Sequence, residues 1–187
     1  MSVRVPLLRL VALTLVVGGM LGSANAAKAD FLKGLSIRGG AWMPVRDSVR
    51  QVVDFAAFGG GIQYELPWFP KLLNGEHWST SISADFYYSE RGNRVVRNIP
   101  VSINQVYVFE EQNGRQPYAG FSVTAATSGG HDADGYRIPT VTRFGAGLII
   151  GLHLNSRLYI EGRYDFIDKS GGSMSVEGFR TMIGFKL

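Results

Sequence analysis

Residues 143–166 restrict the possible folds of this chain more than any other stretch. Their sequence is RFGAGLIIGLHLN, then SR, then LYIEGRYDF, and both halves alternate between apolar and polar side chains. This period of two is typical of β-strands, in which successive side chains point to opposite faces. The polar face of the second half carries Glu161, Arg163 and Asp165 in succession. A soluble sheet could not pack these charges on its core, whereas a membrane-spanning barrel presents its apolar face to lipid and its polar face to its interior.

The same alternation recurs along the chain and predicts eight strands, each bounded by proline, glycine or polar turn residues. Most are close to the roughly 9 to 11 residues that a tilted strand needs to cross a bilayer. The predicted strands are 35–43, 56–66, 78–88, 99–109, 117–127, 143–154, 158–166 and 178–187. The expected fold class is therefore all-β, an eight-stranded antiparallel up-and-down transmembrane β-barrel.

The segments between the strands predict turns and loops of different lengths. Asn113-Gly114 predicts a tight turn between the fourth and fifth strands. The polar segments 90–98 and 128–139 predict solvated loops. The pattern thus predicts shorter turns after strands four and six, and longer loops after strands one, three, five and seven.

The N-terminal segment has the features of a signal peptide. Arg4 and Arg9 supply positive charge, residues 10–21 are an apolar run, and Ala24-Asn25-Ala26 forms a small-x-small cleavage pattern. The apolar run is shorter than the roughly 20 residues of a membrane-spanning helix. We therefore predict a signal peptide at 1–26 that is cleaved after Ala26, a short lead-in at 27–34, and a barrel domain at 35–187.

Charge and cysteine content exclude several classes of function. Removal of the signal peptide lowers Lys+Arg from 19 to 17 against 15 Asp+Glu, which leaves a net charge of +2. Such a small excess gives no support to nucleic-acid binding. The chain has no cysteine, so it has no disulfide framework, thiol nucleophile or cysteine-bearing metal site. Its stability must come from another source, and a closed barrel supplies one by pairing every strand edge.

Strand parity assigns ten titratable side chains to the barrel interior. With the histidine neutral, they carry five positive and four negative charges. Buried charges are costly unless they are paired, and eight strands enclose space for side chains or one small ligand. We therefore expect a salt-bridge network that closes the lumen, and a narrow polar path for ions or small solutes is the alternative. The ten are Arg38, Glu65, Asp85, Arg143, His153, Glu161, Arg163, Asp165, Arg180 and Lys186.

No residue is predicted to be catalytic, cofactor-binding or metal-binding, although a few candidates can be weighed. His131, Asp132 and Asp134 could bind a divalent cation, but adjacent flexible ligands without bracing favour a solvated loop. His153 is expected to be a structural lumen residue rather than a general base. His131 and Ser128 do not show the spacing of a lipase-type catalytic motif.

Two further motifs have a structural and a functional interpretation. Gly59-Gly60-Gly61 lies in a predicted strand without a following helix start, so it indicates close packing rather than a phosphate cradle. Arg91, Arg94 and Arg97 lie beside Tyr87 and Tyr88 and could contact lipopolysaccharide phosphates if their segment is extracellular. A solvated loop is the simpler interpretation of these arginines.

The C-terminal part of the chain resembles a known family. The segments IPVSINQVYVF, PYAGFSV, RFGAGLIIGLHLNSRLYIEGRYDF and GFRTMIGFKL are similar to the bacterial outer membrane protein beta-barrel domain family, of the OmpA-like eight-stranded type. The alternating last strand also resembles the signal that the outer-membrane assembly machinery reads, except that Leu187 is last and Phe185 stands two before it. The resemblance implies the assembly machinery as a partner and carries over no catalytic residues. The apolar strand faces add outer-membrane lipids as expected partners, and the arginines near Tyr87 and Tyr88 add lipopolysaccharide.

These observations predict a monomeric, outer-membrane protein, exported by a cleaved signal peptide, with a structural or surface-interaction role in the cell envelope. No catalysis and no cofactor are expected. The alternatives are a narrow small-solute channel, an outer-membrane lipid-modifying enzyme and a soluble lipocalin-like binding barrel. The last alternative would need apolar side chains inside and charges outside, which is the reverse of the observed parity.

Overall fold

The computed structural model describes residues 32–45, 55–67, 75–132, 134–167 and 176–187. Within these ranges eight strands form one closed antiparallel barrel, in which neighbours in sequence are neighbours in the sheet and β1 pairs with β8. The predicted eight-stranded up-and-down barrel is thus confirmed. The strands are β1 (Leu35–Pro44), β2 (Ala57–Glu65), β3 (Trp78–Arg91), β4 (Arg94–Val108), β5 (Gln116–His131), β6 (Arg137–His153), β7 (Leu158–Ile167) and β8 (Gly178–Lys186).

Some predictions fall on parts of the chain outside the described ranges. The predicted signal peptide, residues 1–26, lies there together with most of the lead-in. So do residues 46–54, 68–74 and 168–175 of three connections. The described part of the chain contains no helix with the length and apolar content that crossing a bilayer requires.

The four central strands are longer than predicted. Strands β3 to β6 have 14 to 17 residues, whereas the other four have 9 or 10. The additional residues extend the sheet at the end of the barrel opposite Leu35 and Lys186. We call this end the distal end, and the end at which β1 begins and β8 finishes the terminal end.

This distal extension corrects two predicted loops. Segment 90–98 is a hairpin that turns at residues 92–93, and the connection predicted at 128–139 is reduced to 132–136. Both segments are polar and therefore have the composition of loops, yet their backbones pair across strands, with Val95 opposite His131. The predicted division into short and long connections is consequently wrong, because the two-residue turn after β3 is shorter than the connection 109–115 after β4.

The predicted turn at Asn113-Gly114 is confirmed. Both residues have positive φ, 54° and 74°, and the flanking Gln112 and Arg115 exchange backbone hydrogen bonds of 2.8 and 3.0 Å. Two successive residues with positive φ are the signature of a type I′ turn, which asparagine and glycine adopt at low cost. This turn reverses the chain within the β4–β5 connection.

The outer surface of the barrel is apolar, as the strand parity predicts. Every strand contributes an exposed large apolar side chain, and Leu148, Ile150 and Ile183 are 58%, 63% and 61% exposed. Aromatic rings lie at both borders: Trp78 packs edge-on against Tyr107 near the terminal end, and Tyr88 lies on the distal side. Ten residue steps separate Trp78 from Tyr88, which at the usual strand tilt is about 25 Å, the height of a membrane belt.

Candidate functional site

The centre of the lumen is filled by three arginines and three carboxylates. They come from β1, β3, β7 and β8, where the alternation turns each of them inward. All six are at most 5% exposed, so every charge of this group is buried. The three positive charges equal the three negative charges in number. The six residues are Arg38, Asp85, Glu161, Arg163, Asp165 and Arg180. We call this group the lumen network.

Asp85 joins two arginines in one half of the lumen network. Arg38 donates to both carboxylate oxygens of Asp85, with Nε–Oδ1 and Nη2–Oδ2 distances of 2.7 and 2.6 Å. Arg180 donates to both oxygens of Asp165 at 2.6 and 2.8 Å, and its third contact is with Asp85 Oδ2 at 2.9 Å. Paired contacts of this kind are the strongest and most directional that a guanidinium makes with a carboxylate.

Glu161 organises the other half. Its Oε1 accepts from Arg163 Nε at 2.5 Å and lies 3.4 Å from Arg38 Nη1, while the hydroxyl of Tyr118 donates to its Oε2 at 3.0 Å. Arg163 also donates to Asn104 Oδ1 at 2.6 Å. The two halves are thus connected through Arg38, and the expected salt-bridge network across the lumen is present.

Several members of this arrangement were missed by the analysis of sequence. Gln63 accepts from Arg38 at 2.7 Å, Asn104 donates to Ser81 and Ser83 at 3.2 Å, and Tyr118 binds Glu161. The signal that could have identified them is interior parity, since each shares the parity of other interior residues: Gln63 with Glu65, Asn104 opposite Ser81 and Ser122, and Tyr118 opposite Gly151. The sequence prediction covers only the arginine, lysine, aspartate, glutamate and histidine residues of that parity.

Apolar layers lie on both sides of the lumen network. The distal layer combines side chains from six strands with one further residue: Trp42, Ala57, Tyr87, Val96, Ala126, Ile167 and Val176. On the terminal side, Ile149 packs with Tyr118 and Tyr159. A Cβ atom on Gly151 would lie 2.1 Å from Cζ of Tyr118, and one on Gly184 would lie 2.0 Å from Cζ of Tyr159. These two interior glycines therefore make room for tyrosine rings.

A cavity of about 200 Å³ remains at the terminal end of the lumen. It extends from Lys186 and Glu65, which form a part-exposed salt bridge of 2.8 Å, inward to Glu161 and Arg163. The lumen network and the distal apolar layer lie beyond it. Among the described residues, Glu161 and Arg163 bound this cavity on its inner side. It can hold a few water molecules or one small solute.

The predicted candidates for chemistry do not assemble into a reactive site. The His153 ring lies against the rings of Tyr118 and Tyr159, with centroid distances of 4.9 and 5.8 Å. Ser128 is buried and makes no hydrogen bond with His131, which is exposed at the end of β5. The described residues therefore give no nucleophile and base in contact at this rim.

In the candidate cation-binding loop, Asp132 is engaged by the backbone of its own turn. The Oδ1 of Asp132 accepts the backbone N–H groups of Asp134 and Tyr136 at 3.0 and 2.9 Å. The part of the chain that the structure describes contains no group of three or more histidine and acidic side chains that could hold a metal ion. Asp132 thus stabilises the turn between β5 and β6.

The three arginines near Tyr88 do not share one face. Arg91 and Arg94 lie opposite each other on either side of the β3–β4 turn and have interior parity, whereas Arg97 is exposed, has outward parity and lies opposite Tyr88. The interpretation of these arginines as one solvated loop is wrong, because all three lie in the strands that pair on either side of the β3–β4 turn. Of the three arginines, only Arg97 lies on the outer surface of the barrel, at the distal border of its apolar belt.

Comparison with known proteins identifies the fold. No protein-family model matches the chain, and no curated protein sequence matches it. The solved structure of neisserial surface protein A matches with a TM-score of 0.50 and 13% identity, covering 82% of this chain and 94% of that chain. The outer membrane enzyme PagL matches with a TM-score of 0.52 and 12% identity, covering 80% of this chain and 97% of that chain.

These two structures are described by their names as a surface protein and as an enzyme. Because their identities to this chain are so low, the likeness concerns the arrangement of strands and carries no residue role. Together with the closed antiparallel sheet and its apolar outer surface, the comparison identifies the fold class: the chain has the fold of the eight-stranded outer-membrane β-barrels.

Proposed function

We propose that this protein is an outer-membrane barrel with a closed lumen, which serves the cell envelope as a structural or surface-interaction protein and has no catalytic activity. The observation that carries this proposal is the lumen network, which spans the interior from β1 and β3 to β7 and β8. An ion that crosses the barrel would have to separate buried guanidinium and carboxylate groups that are joined by two hydrogen bonds each. Separating such a pair costs several kcal/mol, so the narrow small-solute channel is the less favoured function.

The proposal includes the setting of the barrel. The predicted signal peptide exports the chain, the terminal end faces the periplasm, and the distal end faces the outside of the cell. The apolar belt contacts outer-membrane lipids, with lipopolysaccharide in the outer leaflet, and the last strand is received by the assembly machinery. One chain closes the barrel by itself through β1 and β8, which supports function as a monomer without a cofactor.

Planar bilayer recording of the refolded protein tests the closed lumen. The sample is first shown to be folded by its faster migration in an unboiled than in a boiled lane of an SDS gel. We expect no stepwise conductance above that of the protein-free bilayer. Regular conductance steps from this folded sample would contradict the closed lumen and would favour the channel.

The absence of catalysis needs a separate experiment. Lipid A is extracted from cells that contain or lack the protein and is compared by mass spectrometry. We expect the same acyl chains and phosphates in both. A difference that disappears when a single rim serine or histidine is replaced would favour a lipid-modifying enzyme over the proposed role.

A further inference from the structure

The outer face of the distal extension carries three basic side chains that have no partner among the described residues. Arg97 on β4, His131 on β5 and Arg137 on β6 are all exposed. Within the described ranges, none of the three side chains forms a hydrogen bond or an ion pair. This distinguishes them from the interior arginines of the lumen network, whose donors are engaged by carboxylates and amides.

The strand register brings these three side chains together. His131 lies directly opposite Arg137, and Arg97 lies opposite Gly129, two residues before His131. Neighbouring strands are about 4.8 Å apart and each residue advances about 3.3 Å, which places the Cα atoms of Arg97 and His131 roughly 8 Å apart. Long side chains on such diagonal neighbours can reach a common ligand. We call Arg97, His131 and Arg137 the distal basic site.

The distal basic site lies at the border of the membrane belt. Arg97 is two residues beyond Ile99, an exposed apolar residue of β4, and it lies opposite Tyr88 on β3. On β6, the exposed ring of Phe144 and the hydroxyl of Thr142 lie between the apolar outer surface and Arg137, which is nearer the distal end. Aromatic rings occupy the depth of lipid headgroups in membrane proteins. Positive charge just beyond them is therefore at the height of headgroup phosphates.

Two acidic residues nearby accept hydrogen bonds from groups outside the distal basic site. Glu90 accepts a hydrogen bond from the hydroxyl of Tyr88 at 2.5 Å. Asp132 accepts the two backbone N–H groups of its own turn, and Asp134 lies in that turn rather than on the strands. None of these described carboxylates forms an ion pair with Arg97, His131 or Arg137, so the donors of the distal basic site are available to an external anion. The guanidinium fork is well suited to phosphate, which it can bind through two parallel N–H···O bonds.

We propose that the distal basic site binds the phosphate groups of a phosphorylated glycolipid in the outer leaflet, with Arg97 and Arg137 as the phosphate-binding residues and His131 between them. This inference rests on the proposed function, because it requires a membrane-inserted barrel whose distal end faces outward. The apolar belt below the site receives the acyl chains of the same lipid. The partner is thus a lipid that carries its phosphates directly above its acyl chains.

Lipid retention by the refolded protein tests the proposal. The protein in dodecyl maltoside is titrated with diphosphoryl lipid A, and the bound fraction is measured by native mass spectrometry. The test variant is Arg97→Gln/Arg137→Gln. The matched control, Arg115→Gln/Arg157→Gln, removes the same charge from exposed residues at the terminal end. We expect at least about tenfold weaker retention in the test variant and unchanged retention in the control.

Two outcomes would overturn the proposal. Equal retention by the test variant and the control would show that the distal arginines do not bind the lipid. Equal retention of lipid A with and without its phosphates by the unmodified protein would show that acyl chains alone account for binding. Both variants are also compared on unboiled gels and in bilayer recordings. A conducting barrel would contradict the proposed closed lumen, whereas a silent, folded barrel that fails the lipid test contradicts only the distal basic site.

Discussion

Arg180 illustrates how one residue of the lumen network depends on its neighbours. Its side chain is fully buried, and its three guanidinium nitrogens donate to both oxygens of Asp165 and one oxygen of Asp85. A buried guanidinium is tolerated only because these contacts replace the water it loses. The two carboxylates depend on Arg180 in the same way. Removing one partner therefore leaves uncompensated charge inside the barrel.

Replacement of Arg180 tests this dependence. We expect Arg180→Ala to lower the free energy of unfolding by about 3 to 5 kcal/mol, because Asp165 and part of Asp85 would be buried without a counter-charge. Urea-induced unfolding in lipid vesicles measures the change. The control is Lys186→Ala, which breaks a part-exposed pair with Glu65 and should cost at most about 1 kcal/mol. Equal losses in the two variants would show that burial of the network contributes nothing.

Gly184 has an equally specific role, because its missing side chain provides the space for Tyr159. We expect Gly184→Ala to lower the free energy of unfolding by about 1 to 3 kcal/mol through displacement of that ring. In a Tyr159→Ala background the same substitution should cost much less, which a double-mutant cycle measures. Gly162→Ala, whose Cβ would meet its nearest atom at 3.3 Å, is the control. Additive losses in the cycle would contradict the contact.

At the scale of elements, the β3–β4 hairpin depends on a single turn. The strands continue to Arg91 and resume at Arg94, so only Gly92 and Asn93 connect them. Gly92 has a φ of 61°, and a Cβ at this position would meet no atom within 4 Å. Any cost of a side chain at Gly92 is therefore conformational, since L-residues disfavour this region.

Substitution at this turn distinguishes a hairpin from a solvated loop. We expect Gly92→Ala to destabilise the barrel by about 1 kcal/mol, because a two-residue connection cannot relax to negative φ without breaking the last strand pairs. Asn93→Ala, with no positive φ to accommodate, should change stability by less than about 0.5 kcal/mol. Unfolding curves of the two variants give the comparison. If Gly92→Ala left the free energy of unfolding unchanged, the result would favour the predicted solvated loop over the hairpin.

The elements also show what could be predicted from sequence and what could not. Parity assigned Arg38 and Asp85 to the interior correctly, because a strand places alternate residues on opposite faces. It could not show that they contact each other, since β2 lies between them and their pairing depends on the stagger of the closed sheet. The strand ends at 94–98 and 128–131 were missed because polar strands beyond the membrane have the composition of loops.

At the scale of the whole molecule, stability comes from closure of the sheet and from the match of a charged interior and an apolar exterior to their surroundings. The chain has no cysteine, and its eight strands leave no unpaired edge in the sheet. The interior holds paired charges between apolar layers, and the exterior presents exposed apolar side chains from every strand. This arrangement is the reverse of a soluble barrel, so it predicts that the exterior tolerates charge only beyond the membrane belt.

A single arginine placed on the exterior tests this inversion. Leu148 lies in the apolar part of β6, is 58% exposed and is flanked across the strands by Phe121 and Tyr164. We expect Leu148→Arg to lower the free energy of unfolding of the vesicle-inserted barrel by about 2 to 4 kcal/mol, because lipid cannot solvate the guanidinium at the bilayer midplane. The control Tyr136→Arg lies in the distal turn and is 73% exposed. It should fold like the unmodified protein, since that position is in water. Folding yields are read from unboiled gels, and equal yields for both variants would place the apolar surface of this barrel outside the membrane.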